Sequence, residues 1–537
     1  MNEKRLLVAS VFSAVFLALY VQVVMKPSPA LPKQPRNPKL LGKPATLEQP
    51  ATSPIQQTEH THLLENDSVI TIESKAVQVV IGEPSGAIRQ VLLKEALGGP
   101  GGEPLRFGGN VPIFAIHTGQ EDQDTAWKLI RANQGTAEFE GNGRGNKNHH
   151  ISYILSEENP ILSIKLSIKN PIVKTEKIEI IHSWAKADHL SNRYNALEFF
   201  LVTDKGDGKN FYRRYTVPTR AIRDLQNDVP RGTRLLSLSE RYFCQSIKPS
   251  EPFSSVLLFP NEQDLAVVKT VAAPTKLADG SYEFSETVYF GPRDFFYLKR
   301  AGFSSAFPIG VIGQIGLILL VILNGIAKLT HNYGVAIILF SVIITALSSP
   351  FTLLSFRSMR KMQELKPTID KIMAKHKDDS RKANQEILAL YKENHVSPLG
   401  GCLPMLLQMP VFFAMFQAIS HYIELRGKRF LWISDLSLPD RISQLPIALP
   451  MLGKDLNLLP VIMAITMFLQ TKMSQKNMAV DSSNPSAQLM SGPLMPILFG
   501  VMFYQFPSGL VLYWLTNSLM SLVLYKMSTG DPKKSTT

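Results

Sequence analysis

Gly334-Val-Ala-Ile-Ile-Leu-Phe-Ser-Val-Ile-Ile-Thr-Ala-Leu-Ser-Ser-Pro-Phe-Thr-Leu-Leu354 is a stretch of 21 residues without a charged side chain. A helix rises about 1.5 Å per residue, so a run of this length crosses a hydrocarbon core that is about 30 Å thick. We therefore predict a transmembrane helix over 334–354. The rest of the chain is interpreted outward from it.

Further apolar stretches lie in the same half of the chain, at 309–329, 402–422, 457–471, 493–506 and 508–525. The last four are of spanning length or close to it. The first is ambiguous, because Gln314, Asn324 and Lys328 give it a partly polar character. Such a helix can span the bilayer or lie along its interface.

The charges of the loops favour one of these two orientations. If 309–329 lies flat, five spans follow it, and residues 355–398 share a side with the N-terminus. That segment has ten Lys and Arg against six Asp and Glu, which is typical of cytoplasmic loops. We therefore predict an interfacial helix over 305–331, a membrane domain over 334–527 and a short basic cytosolic tail over 528–537. The basic residues between Lys26 and Lys43 favour the opposite orientation.

The N-terminus carries its own apolar run. Leu6 to Met25 form 20 uncharged residues behind Lys4 and Arg5. A cleaved signal peptide would normally have an apolar core of about 7–15 residues, so an uncleaved signal anchor over 1–25 is the favoured reading. The following residues, 26–65, are rich in proline and are predicted to be a linker.

A β-rich domain is predicted over 66–300. Ile161-Leu-Ser-Ile-Lys-Leu-Ser-Ile168 alternates apolar and polar residues with a period of two, as half-buried strands do. Glycine-rich turns such as Gly98–Gly102 separate the strand candidates. The predicted fold is thus that of a multidomain membrane protein: a signal-anchor helix, an all-β periplasmic sandwich and a five-span α-helical bundle with a cytosolic helical hairpin.

The predicted hairpin covers 355–397. Met362, Leu365, Ile369 and Ile372 follow helical spacing, and Asp378-Asp-Ser380 suits a turn and the N-cap of a second helix.

Composition excludes several functional classes. The net charge is +13, but no zinc spacing or RNA-binding aromatic signature accompanies it, so nucleic acid is not an expected partner. Cys244 and Cys402 lie in different halves, which makes a disulfide between them improbable. His149-His150 has no further ligands nearby, and the glycine-rich turns do not end in the Gly-Lys-Ser/Thr of a phosphate loop. No cofactor or metal is expected.

Four motifs carry a family resemblance. Ser397-Pro-Leu-Gly-Gly-Cys-Leu-Pro-Met-Leu-Leu-Gln-Met-Pro-Val-Phe412 resembles the start of the third span in YidC-type membrane protein insertases. Phe506-Pro-Ser-Gly-Leu-Val-Leu-Tyr-Trp514 is similar to the family's hairpin between the last two spans. Asn332–Ile338 with Pro350, and Gln470–Ser474, resemble the second and fourth spans. The β domain resembles the periplasmic domain of Gram-negative members more loosely.

The resemblance implies an inner-membrane chaperone that is not an enzyme. Such proteins insert and help fold newly made membrane proteins, alone or with the Sec translocon, without hydrolysing nucleotide. It also implies cytoplasmic N- and C-termini, residues 26–333 in the periplasm and, more weakly, a ribosome contact through cytosolic loops. The β domain is expected to dock the Sec machinery, bind unfolded segments or brace the membrane part.

The family's site is a polar groove that is open to the cytosol and to lipid. Alignment on the motifs puts Thr345 where the family carries an arginine. Ser341, Thr345, Ser348 and Ser349 stand at i, i+4, i+7 and i+8, on one helical face. We interpret this stripe as a groove wall. The alternative is that the hydroxyls pack helix against helix or bond to their own backbone.

Further candidates come from the other spans. Gln408, Gln470, Trp514 and Asn517 extend the expected polar wall, because an unpaired polar group is costly in lipid. Trp514 could also be an interfacial belt residue. The residues Met405, Met409 and Phe412 are expected to form an adaptable contact surface for substrate helices, with core packing as the alternative.

Two rival functions are less well supported. Pro507-Ser-Gly509 is similar to the serine turn of intramembrane proteases, but Phe506 stands where a glycine is expected, and His421 lies near a span end. A transporter would be expected to carry ionisable residues at mid-membrane or an inverted repeat, and neither is evident.

Overall fold

The computed structural model describes residues 68–94, 105–108, 112–117, 126–143, 147–169, 177–185, 197–204, 210–217, 232–260, 265–376, 379–394, 396, 403–449, 452–475 and 494–529. The predicted anchor (1–25), the predicted linker (26–65) and most of the predicted tail lie outside the described residues. Residues 365–398 belong to one compact unit, and the remainder of the described chain belongs to another.

The N-terminal half of the larger unit is built of strands. In chain order they are β1 Ser68–Glu73, β2 Val77–Glu83, β3 Ile88–Leu93, β4 Leu105–Gly108, β5 Phe114–His117, β6 Trp127–Ala132, β7 Thr136–Gly143, β8 Lys147–Leu155, β9 Ile161–Lys169, β10 Ile178–Ala185, β11 Leu197–Asp204, β12 Asn210–Val217, β13 Thr233–Ser239, β14 Phe243–Pro249, β15 Ser255–Pro260, β16 Leu265–Ala272, β17 Thr275–Lys276 and β18 Tyr282–Pro292.

These strands form two sheets that share one hydrophobic core. The first has the order β1-β2-β3-β5-β10-β16-β15, with β4 on β3, and the second has the order β12-β11-β13-β14-β18-β9-β8-β7-β6, with β17 on β18. In β9 the apolar residues Leu162, Ile164 and Leu166 face inward, as the period-two pattern predicts. They pack in the same core as Val79 and Ile180 of the first sheet. The prediction of an all-β sandwich is confirmed.

One titratable pair crosses the interior of the sandwich. His182 Nε2 on β10 lies 3.8 Å from Glu286 Oε2 on β18, and both side chains are fully buried. Thr270 Oγ1 is 3.3 Å from the same histidine nitrogen. Burial raises the pKa of Glu286 to about 8 and lowers the pKa of His182 to about 3, because the charged form of each group loses its hydration.

Helices dominate the chain after the sandwich. They are α1 Phe295–Arg300, α2 Val311–Thr330, α3 Tyr333–Glu364, α4 Lys366–Lys375, α5 Ser380–Glu393, α6 Leu403–His421, α7 Leu458–Gln475, α8 Leu494–Phe503 and α9 Ser508–Thr529. A short hairpin of β19 Ser443–Leu449 and β20 Gly453–Leu456 lies between α6 and α7.

Three of the described helices are long and apolar enough to cross a membrane: α2, α3 and, over Ser508–Ser528, α9. Two shorter apolar helices lie in α7 and α8. An apolar helical region follows the sandwich, as predicted. The exact number of spans and the flat orientation of 305–331 stay predictions. The helix of that segment begins only at Val311, and a separate 3₁₀ turn lies before it at Ser304–Ala306.

The end of α3 differs from the prediction, which ended the span at 354 and began the hairpin at 355. The helix continues through Pro350 to Glu364. Proline removes the N–H that would bond the carbonyl four residues earlier, which here is the carbonyl of Ala346. The Ser349 hydroxyl donates to that carbonyl at 2.8 Å and restores the missing hydrogen bond.

The unit over 365–398 contains the helices α4 and α5. The side chain of Asp379 accepts a hydrogen bond from the Lys382 backbone and caps α5, as the sequence predicts. Glu386 on α5 contacts Lys375 and His376 at the end of α4, at 3.2 and 3.0 Å. The two helices are thus joined as a hairpin.

A loop of the sandwich is fixed to the end of α6. Arg241 Nε donates to the Ser420 carbonyl at 2.8 Å, and its Nη2 donates to the Ser437 carbonyl at 2.9 Å. His421 Nδ1 lies 3.1 Å from the Arg241 carbonyl, so the contact is reciprocal. A guanidinium at a helix C-terminus also interacts favourably with the helix dipole. The sandwich and the bundle therefore meet at this end of the helices.

Candidate functional site

Helix α9 lies at the centre of the bundle. Every residue from Ser508 to Ser518 is buried, although most of the surrounding helices expose one face. Its start is fixed by two bonds from the Pro-Ser-Gly motif: Ser508 Oγ donates to the Leu438 carbonyl, and the Gly509 amide donates to the Leu436 carbonyl. A Cβ at Gly509 would lie 3.1 Å from the Leu436 oxygen, so the loop approaches closely because this residue has no side chain.

A polar cluster joins the three helices α3, α6 and α9. Thr345 Oγ1 on α3 donates to Asn517 Oδ1 on α9 at 2.5 Å. Gln408 Nε2 on α6 donates to the Tyr513 hydroxyl, also at 2.5 Å. The Tyr513 hydroxyl lies beside the Asn517 amide. The amide nitrogen of Asn517 has no partner with hydrogen-bond geometry in the described part of the chain. We call Thr345, Gln408, Tyr513 and Asn517 the polar cluster.

The hydroxyl stripe of α3 runs along the same contact. Ser341 donates to the Ile337 carbonyl at 2.6 Å, Ser348 to Thr345 at 3.1 Å and Thr352 to Ser348 at 3.2 Å. Each of these three groups is therefore satisfied within its own helix. We call the row of small hydroxyl residues on α3 the hydroxyl seam: Ser341, Thr345, Ser348, Thr352 and Ser355.

The seam differs in three positions from the predicted stripe. Thr352 and Ser355 are 7 % and 1 % exposed and continue the 3–4 spacing from Ser348, but the sequence interpretation omitted them. Ser349 instead completes the helix at Pro350. The spacing of three to four residues, continued beyond Ser348, is the sequence signal that would have selected Thr352 and Ser355 instead of Ser349.

An aromatic cluster covers another face of α9. Trp514 contacts Phe412 of α6 at 4.9 Å between ring centroids, Phe503 of α8 at 5.4 Å and Phe499 at 5.8 Å. Phe412 also contacts Phe503 at 5.5 Å. These four rings are called the aromatic cluster. They hold α6, α8 and α9 together through stacked and edge-on contacts.

The remaining predicted residues fall outside the polar cluster, the hydroxyl seam and the aromatic cluster. Met409 is buried on α6, whereas the side chain of Met405 lies outside the described part of the chain. Gln470 is half-buried on α7, and no hydrogen bond joins it to the polar cluster within the described residues.

Four residues of the predicted groove wall are buried among the described residues. Ser341 is fully buried, and Thr345, Asn517 and Trp514 are less than a tenth exposed, whereas Ser348, Ser349 and Gln408 are half-buried. The open, wet groove stays a prediction. The physical reason for the burial of Ser341 and Thr345 lies in the size of their side chains. Small hydroxyl residues let α3 and α9 approach closely, and their own helix supplies their hydrogen-bond partners.

The residues of the protease-like motif have other partners. Ser508 bonds to the Leu438 carbonyl, and His421 bonds to Arg241 in the sandwich. Among the described residues, no group of three His, Cys, Asp or Glu side chains is placed to hold a metal ion.

Comparison with known proteins identifies relatives of the helical region. The family model described as 60Kd inner membrane protein matches residues 325–530. A membrane protein insertase YidC of Endomicrobium trichonymphae is 39% identical over 294 residues, which cover 53% of this chain and 54% of that protein. Another YidC, of Syntrophobacter fumaroxidans, is 43% identical over 244 residues, which cover 44% of this chain and 42% of its own length.

These alignments span about half the length of the curated relatives. Among solved structures, an active YidC insertase with its first transmembrane domain resolved covers 85% of this chain and 91% of its own. Its sequence identity is 19% and its TM-score is 0.36.

Proposed function

We propose that this chain is a YidC-type insertase, because the 60Kd inner membrane protein model matches residues 325–530 and the similar curated proteins are YidC insertases, and that it inserts newly made membrane proteins and helps them fold. In this proposal the protein works without nucleotide hydrolysis, in the inner membrane, alone or beside the Sec translocon. The observation that carries the proposal is the polar cluster, buried at the contact of α3, α6 and α9.

The physical problem is the passage of a polar segment across hydrocarbon. A charged side chain at the bilayer centre costs about 2.5–3.5 kcal/mol on insertion scales, and unpaired backbone groups add to this cost. Polar groups inside a helical bundle lower that cost, because they offer hydrogen-bond partners where lipid offers none. The transit then requires no covalent chemistry, since burial of the apolar substrate helix in lipid supplies the driving force.

The hydroxyl seam is suited to separation of α3 from α9. Ser341, Ser348 and Thr352 keep their hydrogen bonds when the helices part, since their acceptors lie on α3 itself. The Thr345–Asn517 bond joins α3 to α9 and must break when these helices part. We propose that parting of these helices creates the polar groove, with Thr345 and Asn517 as the first groups to meet substrate.

Asn517 supplies a group that favours an incoming peptide. Its amide nitrogen is buried beside the Tyr513 hydroxyl, outside the geometry of a full hydrogen bond. A substrate carbonyl with better geometry can accept from this donor, and such a hydrogen bond contributes about 0.5–1.5 kcal/mol. The proposed recognition therefore acts on the substrate backbone and needs no particular side chain.

The site also differs from a charged groove. The polar cluster consists of hydroxyl and amide groups, and the described part of α3 between Tyr333 and Phe356 has no Lys or Arg. A neutral site of this kind discriminates weakly between acidic and uncharged substrate tails. Gln470, Met405, Met409 and Phe412 stay candidates for contact with the substrate helix.

The proposed topology rests on the distribution of basic residues. Arg357, Arg360 and Lys361 lie in the extension of α3, and the unit over 365–398 adds further Lys and Arg. Cytoplasmic placement of these segments, with residues 26–333 in the periplasm, follows the usual enrichment of positive charge on the inner side. A ribosome contact through the same segments belongs to the proposal.

Site-specific crosslinking tests the proposal. A photoreactive amino acid at position 345 is expected to crosslink to a stalled nascent membrane protein, and one at 514 is expected to do so less strongly. Position 347 is the matched control, because Leu347 lies on the same helix but is 70 % exposed on the opposite side of the seam. Crosslinks at 347 without crosslinks at 345 would contradict a substrate path through the seam.

A further inference from the structure

The segment between α6 and α7 carries exposed apolar side chains at one end of the bundle. Leu431 is 74 % exposed and Ile447 is 73 % exposed, and Trp432 and Ile442 are also exposed. Large exposed apolar groups near one another mark a contact surface. We infer that the described residues of this segment, 428–449 and 452–456, form a membrane anchor that lies in the headgroup region of the bilayer, a role separate from the proposed insertion of substrates.

The turn between Phe430 and Ile433 directs its two central side chains outward. Phe430 and Ile433 pair across a two-residue turn, and Leu431 takes a positive φ of 51° that a leucine rarely adopts. Phe430 packs onto Gly334 at the start of α3, where any Cβ would clash with its ring. The turn is therefore fixed to the end of a predicted span, with Leu431 and Trp432 on its outer side.

The hairpin β19–β20 is fixed at the same level. Asn457 Nδ2 donates to the Tyr504 carbonyl at 2.6 Å, and the Tyr504 hydroxyl donates to Asp455 at 2.9 Å. Gln505 Nε2 reaches the Leu452 carbonyl at 3.4 Å, so the hairpin lies across the turn between α8 and α9. Helix α9 begins at this turn. If α9 crosses the bilayer, the hairpin therefore lies at the membrane surface.

Asp440 connects the turn that carries Trp432 with the start of α7. Its Oδ2 accepts from the backbone amides of Leu458 and Leu459 at the start of α7, and also from Trp432 Nε1 at 3.2 Å. The indole is therefore oriented with its N–H inward and its ring edge outward. Trp432, the exposed Lys428 and the exposed Arg429 form the combination of aromatic and basic residues found at membrane interfaces.

Lipid fits this surface better than the interior of another protein does. The stretch from Ile442 to Gly453 contains no charged residue, whereas Arg441, Lys454 and Asp455 stand at its base. Arg441 and Asp455 pair at 3.0 Å, which leaves Lys454 exposed on the hairpin. Lys428, Arg429 and Lys454 can reach lipid phosphates while the apolar tips enter the acyl boundary.

The backbone fixes the depth of this anchor. A two-stranded hairpin has unpaired N–H and C=O groups on both edges, and such groups are not tolerated in hydrocarbon. The hairpin is therefore placed among the headgroups, where water reaches its edges. Pro446 in β19 removes one of the edge donors.

Spin labelling of the full chain tests the inference. In a Cys402→Ser background, with Cys244 buried, a label is attached to Leu431→Cys or Ile447→Cys and the protein is placed in phosphatidylcholine–phosphatidylglycerol vesicles. The control is Thr275→Cys on the exposed β17 of the sandwich. We expect the ratio of oxygen to nickel-chelate collisions to rise at 431 and 447 relative to 275.

Two results would overturn the anchor. A ratio at 431 and 447 equal to that at 275 would place the tips in water. Labels that neither oxygen nor the nickel chelate reaches would mean that protein, a partner or a second copy, covers the surface. Neither result bears on insertion, which is measured separately in the same vesicles.

Discussion

The sandwich and the helical bundle both bury polar groups, but they do so in different ways. In the sandwich, His182 and Glu286 are titratable, and both carboxylate oxygens of Glu286 lack a hydrogen-bond partner in the described part of the chain. In the bundle, the hydroxyl seam is neutral and most of its groups bond to their own helix. The sandwich therefore has a pH-dependent core, whereas the bundle has an interior that can be wetted without leaving groups unpaired.

The same difference indicates what holds each region together. The polar contacts of the bundle contribute little to its stability, since hydrogen bonds between membrane helices average about 0.6 kcal/mol. The aromatic cluster carries the larger share, through the contacts of Trp514 with α6 and α8. The aromatic cluster can thus keep α9 packed against α6 and α8 while α3 separates from the opposite side of α9.

The largest effect is expected from the aromatic cluster. Trp514→Ala removes a buried indole, and truncation of a buried Phe or Trp costs about 3–5 kcal/mol. We expect amide exchange along α9 to accelerate accordingly in detergent, whereas Trp514→Phe retains most of the protection. Equal exchange in the wild type and Trp514→Ala would mean that the polar seam, and not the aromatic cluster, stabilises this helix.

The second effect concerns the pH dependence of the sandwich. The pKa of Glu286 is raised from 4.5 to about 8, so this carboxyl keeps its proton in the folded state up to about pH 8. Above pH 6.5, the ordinary pKa of histidine, His182 is neutral in both states. The folded state therefore holds one proton more than the unfolded state between pH 6.5 and 8. Its free energy of unfolding therefore falls between pH 6.5 and 8, by about 2 kcal/mol at 1.36 kcal/mol per unit. On the acid side, the lowered pKa of His182 makes stability rise between about pH 3 and 4.5.

Hydrogen exchange, corrected for the intrinsic effect of pH, measures both regions in one sample. Strands β10 and β18 are expected to lose protection from pH 6.5 to 8, and α3 and α9 are not. Glu286→Gln is the matched variant, because it keeps the shape and removes the titration. A decline of the same size in Glu286→Gln would assign the pH dependence to other groups.

The smallest effect on stability, but a large one on activity, is expected in the polar cluster. Thr345→Val combined with Asn517→Leu removes one inter-helix hydrogen bond and should change stability by less than about 1 kcal/mol. Insertion of a substrate with a polar translocated tail should nevertheless fall, because the groove loses its first hydrogen-bonding groups. Complementation of an insertase-depleted strain at matched protein levels measures this. Full growth would refute the role of the cluster.

Local sequence patterns predicted the elements better than the contacts between them. Period-two alternation identified β9, and apolar run length identified α3 and α9 as helices that are long and apolar enough to cross a membrane. The Thr345–Asn517 bond joins residues 172 positions apart, which no local period reveals, although both residues were named as candidates. Tyr513 was missed because a tyrosine in an apolar run is indistinguishable from a packing residue until its Gln408 partner is placed.

The remaining differences have equally specific causes. The sequence prediction ended the span at 354 and assigned the next residues to the hairpin, whereas α3 continues to Glu364, and the Ser349 hydroxyl replaces the donor that Pro350 lacks. The fixation of Arg241 to the end of α6 combines a β-domain loop with a helix terminus, and neither segment alone indicates the other.

A reversible lock between α3 and α9 tests the central claim most directly. Thr345→Cys and Asn517→Cys, in a Cys402→Ser background, put two thiols where the two side chains now touch. The account predicts that the oxidised, disulfide-locked protein fails to insert a polar-tailed substrate in liposomes and that reduction raises insertion to the lower level expected of an unlocked variant without the Thr345 and Asn517 polar groups. Insertion at the same rate in the locked and the reduced protein would contradict it.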